Sequence, residues 1–307
     1  MYFAGRLDSK TDSPVFDSKL KLSVLNKIIE SESATTPTLL AARSMCKESD
    51  VAGKCDVDRF NQKLFIQDPE NLNIYFNELN QAVKDADVEL IAVILRQMSQ
   101  AKYSRSLSPI SAEFITAVDA YIQENPFAEA TILASLEGLL GDRTEVDVNS
   151  LMKQSMLQMF YIINFSNIPA LQPLIVACEQ FQQDAQYCQS IANTLRNRSD
   201  TNVMVMMGYG LDEKVSEIFG DAESLTKSQA AQQAFTDYQM CLLQNHALID
   251  DPLYMFDPGF VTIMIQGQHE GANLELGALY FYDKLKDSGH EGVVDPRTCG
   301  LRYVEVN

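Results

Sequence analysis

Apolar residues recur at three- and four-residue steps along most of this chain, and the phase of the repeat resets at short polar breaks. The stretch from Asp68 to Tyr103, DPENLNIYFNELNQAVKDADVELIAVILRQMSQAKY, shows the pattern most clearly. Leu72, Tyr75, Phe76, Leu79, Val83 and Ala86 share one helical face, with Asn73, Asn77, Asn80 and Lys84 away from its centre. Asp68 is placed to cap this helix, with Pro69 at the first helical position and Glu70 beside the positive end of the dipole. Asp87 opens a partner helix in which Val88, Ile91, Leu95 and Met98 make the main stripe, and Leu90, Ala92, Val93 and Ile94 widen it almost all round. Such a helix needs cover on more than one side, so the hairpin is expected to pack against further helices.

The rest of the chain reads in the same way. Residues 1–17 form a loose arm, and helices are predicted over Lys19–Glu30, Thr38–Met45 and Asp56–Phe65. Ser108-Pro109 and Asn125-Pro126 each present a cap followed by proline at the first helical position, giving helices that run to Glu124 and Leu140, the second stopped by Gly141. Apolar spacing then predicts helices through Val148–Phe165, Leu171–Phe181 and Cys188–Leu195. A Met-rich helix over Thr201–Phe219 is capped by Asp200, and another covers Ser228–Leu248. After Asp257-Pro258-Gly259, the alternation Val261, Ile263, Ile265 is that of a strand, but a short helix is the favoured reading. Helical spacing returns from Leu274 to Leu285, and Arg302 to Val306 reads as extended. The expectation is an all-α protein of antiparallel helical hairpins, stacked as a solenoid-like or irregular array with little or no strand. A soft seam near Gly141 to Asn149 divides it into halves at 18–141 and 142–307, unless the two form one continuous domain.

Within the hairpin, several features together resemble a tetratricopeptide repeat. These are the DPEN start, an aromatic near the fourth helical position, Leu79 near the seventh, an Ala-Asp pair at the turn and small or aliphatic residues along the second helix. The Leu-Gly pair of that family's first helix is absent, and the likeness is confined to residues 68–103. The resemblance implies a helix-hairpin geometry and a peptide-binding role. In general character the chain is also similar to uncharacterised exported helical-repeat proteins of Gram-negative bacteria.

Charge narrows the function classes. Twenty-four basic against 42 acidic residues give a formal charge of -18, which repels phosphate backbones and anionic lipid and argues against nucleic acid and membrane surfaces as partners. The acidity itself reads first as solubility or adaptation to salt, and second as attraction to a basic partner. The 307 residues, 46% of them hydrophobic, are enough for a sizeable core. The longest aliphatic runs, such as Leu90 to Leu95, are far short of a membrane span, and MYFAGRLDSK has no signal-peptide pattern.

The cysteines point to a compartment. Cys46 and Cys55 are nine positions apart, and Cys178 and Cys188 ten apart, each pair running from near the end of one predicted helix to near the start of the next. Each would clamp a hairpin, leaving Cys241 and Cys299 to tie the tail to the body. Three structural disulfides and an oxidising compartment follow, periplasmic or secreted, with the export signal missing from the chain as written. Buried thiols in a cytoplasmic protein are the competing reading, and the lack of any CxxC argues against zinc.

Candidate chemistry is sparse. His246, His269 and His290 fall in the last quarter among Asp250, Asp251, Glu270 and Glu275, residue types able to build a metal or acid/base site, yet without HExxH or another paired helical ligand pattern. His269 and Glu270 are the candidate catalytic pair. There is no GxSxG, P-loop or GxGxxG, and Gly208-Tyr209-Gly210 lies inside a helical pattern. Met204, Met206 and Met207 read as core filling, with a pliable binding face as the alternative. Asn164-Phe165-Ser166 and Asn197-Arg198-Ser199 match the glycosylation sequon but sit on or at predicted helices. No cofactor or metal is expected. The leading reading is a non-enzymatic scaffold that binds a protein or peptide. A hydrolase-like enzyme using carboxylates and histidines of the C-terminal quarter, and a structural subunit of a cell-envelope assembly, are the alternatives.

Overall fold

The structure, a computed structural model, describes residues 18–48, 51–106, 110–140, 146–165, 169–181, 185–267 and 269–300. Among the described residues it is all-α: two isolated bridges, Asn71 with Tyr103 and Ser104 with Ser199, are the only extended pairings, and there is no sheet. In chain order the helices are α1 (Ser18–Glu30), α2 (Thr36–Met45), α3 (Val57–Gln67), α4 (Phe76–Lys84), α5 (Val88–Ser99), α6 (Ala112–Glu124) and α7 (Glu129–Leu140). They continue as α8 (Val148–Phe165), α9 (Gln172–Gln180), α10 (Ala185–Arg198), α11 (Asn202–Phe219), α12 (Ala222–Leu243), α13 (Pro258–Gln266) and α14 (Glu270–Asp287).

The chain forms two compact units, each discontinuous in sequence. The first comprises Met1–Ser108, Ser166–Ser199 and Val203–Leu225, and the second Pro109–Phe165, Asp200–Asn202 and Thr226–Asn307. The sequence-read seam at residues 141–149 lies within the second unit.

In the first unit α1, α2 and α3 pack on one another, and α4 and α5 form the hairpin read from the sequence. The cover that α4 and α5 require comes from far along the chain, α9 lying on α4 and α10 on α5. Leu39, Phe60, Leu64, Leu79, Ile91, Leu95, Ile191 and Leu211 meet in this core. Local capping starts the helices where expected: Asp56 accepts from Arg59 N–H and Asp87 from Leu90 N–H, each at 3.0 Å.

Asp68 departs from its expected role. It is the C-cap of α3, and its carboxylate accepts from Tyr103 O–H at 2.6 Å and from Asn71 Nδ2 at 3.1 Å. Asn71 in turn accepts from the N–H groups of Asn73 (3.2 Å) and Arg105 (3.0 Å) and donates to Arg105 C=O at 2.9 Å, while Leu72 N–H reaches Tyr103 C=O at 2.8 Å. These bonds to the 103–105 segment hold the predicted first turn out of α-geometry. Leu72–Ile74 is therefore a 3-10 turn, and the helix proper begins at Phe76.

In the second unit α8 packs against α6, α7 and α13, and α13 against α14. Ile110, Val118, Ile122, Leu157, Tyr161, Val261 and Ile265 form one cluster, and Tyr238, Leu242 and Ala278 another. The segment after Asp257 is helical, as favoured, because the Asp257 carboxylate accepts from the N–H groups of Gly259 (2.9 Å) and Phe260 (3.2 Å). Two expected starts are corrected. Ser111 caps α6 through Phe114 N–H at 3.2 Å, and Asn125 is the C-cap of α6, so α7 starts only at Glu129. Ser108, Pro109, the 1–17 arm, Gly141 and Arg302–Val306 lie outside the described residues.

The three disulfides pair as expected, Cys46–Cys55, Cys178–Cys188 and Cys241–Cys299, with Cα separations of 5.4, 6.0 and 5.7 Å. They point to an oxidising compartment. Among the described residues no helix is long and apolar enough to cross a membrane.

Candidate functional site: a cationic cleft in the first unit

A cavity of about 200 Å³ lies where the end of α2 faces the 3-10 turn and α4. From α2 and the residues just beyond it come Leu40, Arg43, Ser44 and Lys47. The turn and α4 supply Asn73, Phe76, Asn77 and Asn80 at three- and four-residue steps, and Ser106, Pro169 and Ala170 complete the wall. The asparagines that the sequence pattern assigns to a water-facing side therefore line a recess.

Arg43 is only 7% exposed. Its Nη1 donates to Asn61 Oδ1 and to Ile74 C=O, both at 3.0 Å, but among the described residues it makes no ion pair. Burial lowers its pKa to about 10, with Glu78 opposing the shift. Burial likewise pushes the Glu78 carboxyl up against the pull of Arg43. Lys47 Nζ donates to Asn77 Oδ1, and desolvation followed by the Arg43 and Lys84 charges lowers its pKa. Asn73 is 5% exposed. Its Oδ1 accepts from Ser104 Oγ at 3.0 Å, and its Nδ2 has no partner among the described residues. Whichever way that amide is turned, one of its polar atoms stays buried without a partner among the described residues, an arrangement that costs roughly 1–3 kcal/mol.

The cleft thus sets a guanidinium and an ammonium beside apolar surfaces from Leu40, Phe76 and Pro169, on a chain whose formal charge is -18. Low-dielectric walls around like charges focus the field into the recess. Such a pair of cations is complementary to a carboxylate, which accepts several N–H bonds at once and carries the opposite charge.

The residues weighed as catalytic have other tasks. His269 is the N-cap of α14, its Nδ1 accepting from Gly271 N–H at 3.1 Å. Glu270 Oε2 accepts from Asn202 N–H at 2.6 Å, and Glu270 N–H donates to Asp200 C=O at 2.8 Å. Burial raises the Glu270 pKa to about 6, the Asn202 bond opposing and Asp200 adding to the rise. His246 stands among Tyr254, Phe260 and Phe281, with Nδ1 3.4 Å from Tyr254 Oη, and burial lowers its pKa. Glu275 accepts from Tyr238 O–H at 3.1 Å. His290, Asp250 and Asp251 line a second cavity of about 270 Å³ within the second unit. Among the described residues no three His, Cys, Asp or Glu side chains are grouped so as to hold a metal. Met204 and Met207 lie in the first unit's core.

Sequence reasoning passed over Arg43 and Lys47, since a basic residue at a helix C-terminus is ordinary. The one available signal was Asn at 73, 77 and 80, a residue that favours neither helix interiors nor solvent-facing helix surfaces over Lys or Glu. Compared with protein families, curated proteins and solved structures, the chain finds no match.

Proposed function

We propose that the first unit is a protein- or peptide-binding module whose cleft takes a carboxylate-bearing segment of its partner. The observation that carries this reading is the buried Arg43 guanidinium, which makes no ion pair among the described residues, in a cleft shared with Lys47 and Asn73. The cavity is smaller than the roughly 300–1,000 Å³ of sites that enclose a drug-sized ligand, which suits the end or one side chain of a peptide rather than a whole metabolite. The first helix of the tetratricopeptide-like hairpin, α4, supplies one wall, in keeping with the peptide-binding role that the resemblance implies. With three disulfides, the setting in which the partner is met is periplasmic or extracellular.

Short peptides with an acidic last residue, prepared with a free C-terminus and as the amide, test the proposal by calorimetric titration at two salt concentrations. Binding that weakens about tenfold, or about 1.4 kcal/mol, with Lys47→Met and with added salt supports it. Binding of every peptide unaffected by Lys47→Met and Asn73→Ala, or no binding at all, overturns it.

A further inference from the structure

One disulfide belongs to the cleft wall itself. Cys46 is the C-cap of α2, its N–H donating to Ala42 C=O at 3.0 Å, and in sequence it stands between the cleft residues Ser44 and Lys47, three positions after Arg43. Its partner Cys55 directly precedes Asp56, the N-cap of α3, and α3 carries Asn61, on which the Arg43 guanidinium rests. The bridge therefore joins the helix end that presents the cations to the helix that positions the guanidinium. Close to the bridge in sequence, Glu48 pairs with Lys21 at 2.6 Å and Val51 is buried. The two sulfurs differ in access: Cys46 is 1% exposed, whereas Cys55 is half-buried and is the one that a thiol from solution reaches. In the same unit Cys178 and Cys188 are both buried.

Resting on the reading of this cleft as a carboxylate site, we propose that the Cys46–Cys55 disulfide is a redox control of binding, the oxidised form holding Arg43, Ser44 and Lys47 opposite Asn73 and Asn77 and the reduced form releasing them. The reductant is a dithiol. One of its thiolates attacks Cys55 Sγ, the Sγ–Sγ bond breaks, and Cys46 leaves as a thiolate that takes up a proton. The second thiolate of the reagent then displaces Cys55, so that two protein thiols and one oxidised dithiol result from the two-electron exchange. Linkage makes the effect reciprocal: a ligand that prefers the oxidised cleft slows or opposes reduction of this bond.

The test uses the full chain and, as probe, a short peptide ending in an acidic residue with a free carboxylate. Its affinity is measured for oxidised protein, after dithiothreitol, and for Cys46→Ser/Cys55→Ser and Cys241→Ser/Cys299→Ser double variants, with far-UV circular dichroism on each. Reduction is expected to weaken binding roughly tenfold, an ordinary coupling. The 46/55 variant is expected to bind weakly under both conditions with its helical signal intact, and the 241/299 variant to match the wild type when oxidised. Bound peptide is expected to protect Cys46 and Cys55, but not Cys241 and Cys299, from reduction and alkylation as read by mass spectrometry. Equal affinity in the oxidised and reduced states overturns the redox control and leaves the cleft's ligand standing. No binding of the free-acid peptide or of its amide to oxidised protein overturns both, and loss of the helical signal in the 46/55 variant assigns the bridge a purely structural role.

Discussion

The Asn71 side chain ties the 3-10 turn to the 103–105 segment. Its side chain bonds the backbone at Asn73 and at both polar groups of Arg105, and it donates to Asp68. Replacing it by Ala leaves buried backbone donors unpaired, and Asn71→Ala is expected to destabilise the protein by about 2–4 kcal/mol in urea titrations. In the second unit Glu270 sets a pH dependence. Its folded pKa is raised to about 6 from a usual 4.5, so the folded state binds its proton more tightly than the unfolded chain does. The tighter proton binding favours the folded state below the unfolded pKa, and that stabilisation is lost as pH climbs through about 6. The shift corresponds to about 2 kcal/mol. Wild type is therefore expected to lose stability relative to Glu270→Gln between pH 4.5 and 7, measured as the change in their denaturation midpoints. Parallel pH profiles would remove Glu270 as the source.

At the scale of elements, two backbone positions decide how neighbouring helices meet. Ala86, assigned by periodicity to the apolar face of the first helix of the hairpin, instead forms the turn between α4 and α5 with φ at +53°. A left-handed conformation costs a non-glycine residue roughly 1–2 kcal/mol, so Ala86→Gly is expected to stabilise the protein by about 1 kcal/mol and raise its melting temperature. Gly208 acts in the opposite sense. Helix propensity alone predicts a gain of about 1 kcal/mol from Gly208→Ala. A Cβ there, however, would lie 2.5 Å from Arg196 N and 2.9 Å from Arg196 Cα and Leu195 Cβ. Backbone on the other side of the contact cannot rotate away, so α11 must separate from α10 and the substitution is expected to destabilise by about 1–3 kcal/mol. The sequence pattern reads Gly208 as tolerated inside a helix, and only the packing shows why it is glycine.

For the whole molecule, the disulfides link distant parts of each unit unequally. Cys241–Cys299 spans 58 residues, against nine for Cys46–Cys55 and ten for Cys178–Cys188. Loop entropy alone makes it worth about 4 kcal/mol against about 3 for each short bridge, so removing it is expected to lower the melting temperature most, as differential scanning calorimetry of the three double Cys→Ser variants would show. What the sequence determined by itself was the helical class, from apolar spacing; the helix starts at Asp87 and Asp257, from side chains that reach their own next turn; and the cysteine pairs, from two short spacings and a remainder. Tertiary structure decided what covers the hairpin, because α9 and α10 reach it from far along the chain and no period records that. It turned Asp68 from a helix start to a helix end, since Tyr103 and Asn71 take its carboxylate. It also set the end of α2 opposite Asn73 and Asn77, because an amphipathic pattern marks a face as polar without specifying what that face meets, and nothing in the pattern records that Asn61 and Ile74 bury Arg43 beside a recess.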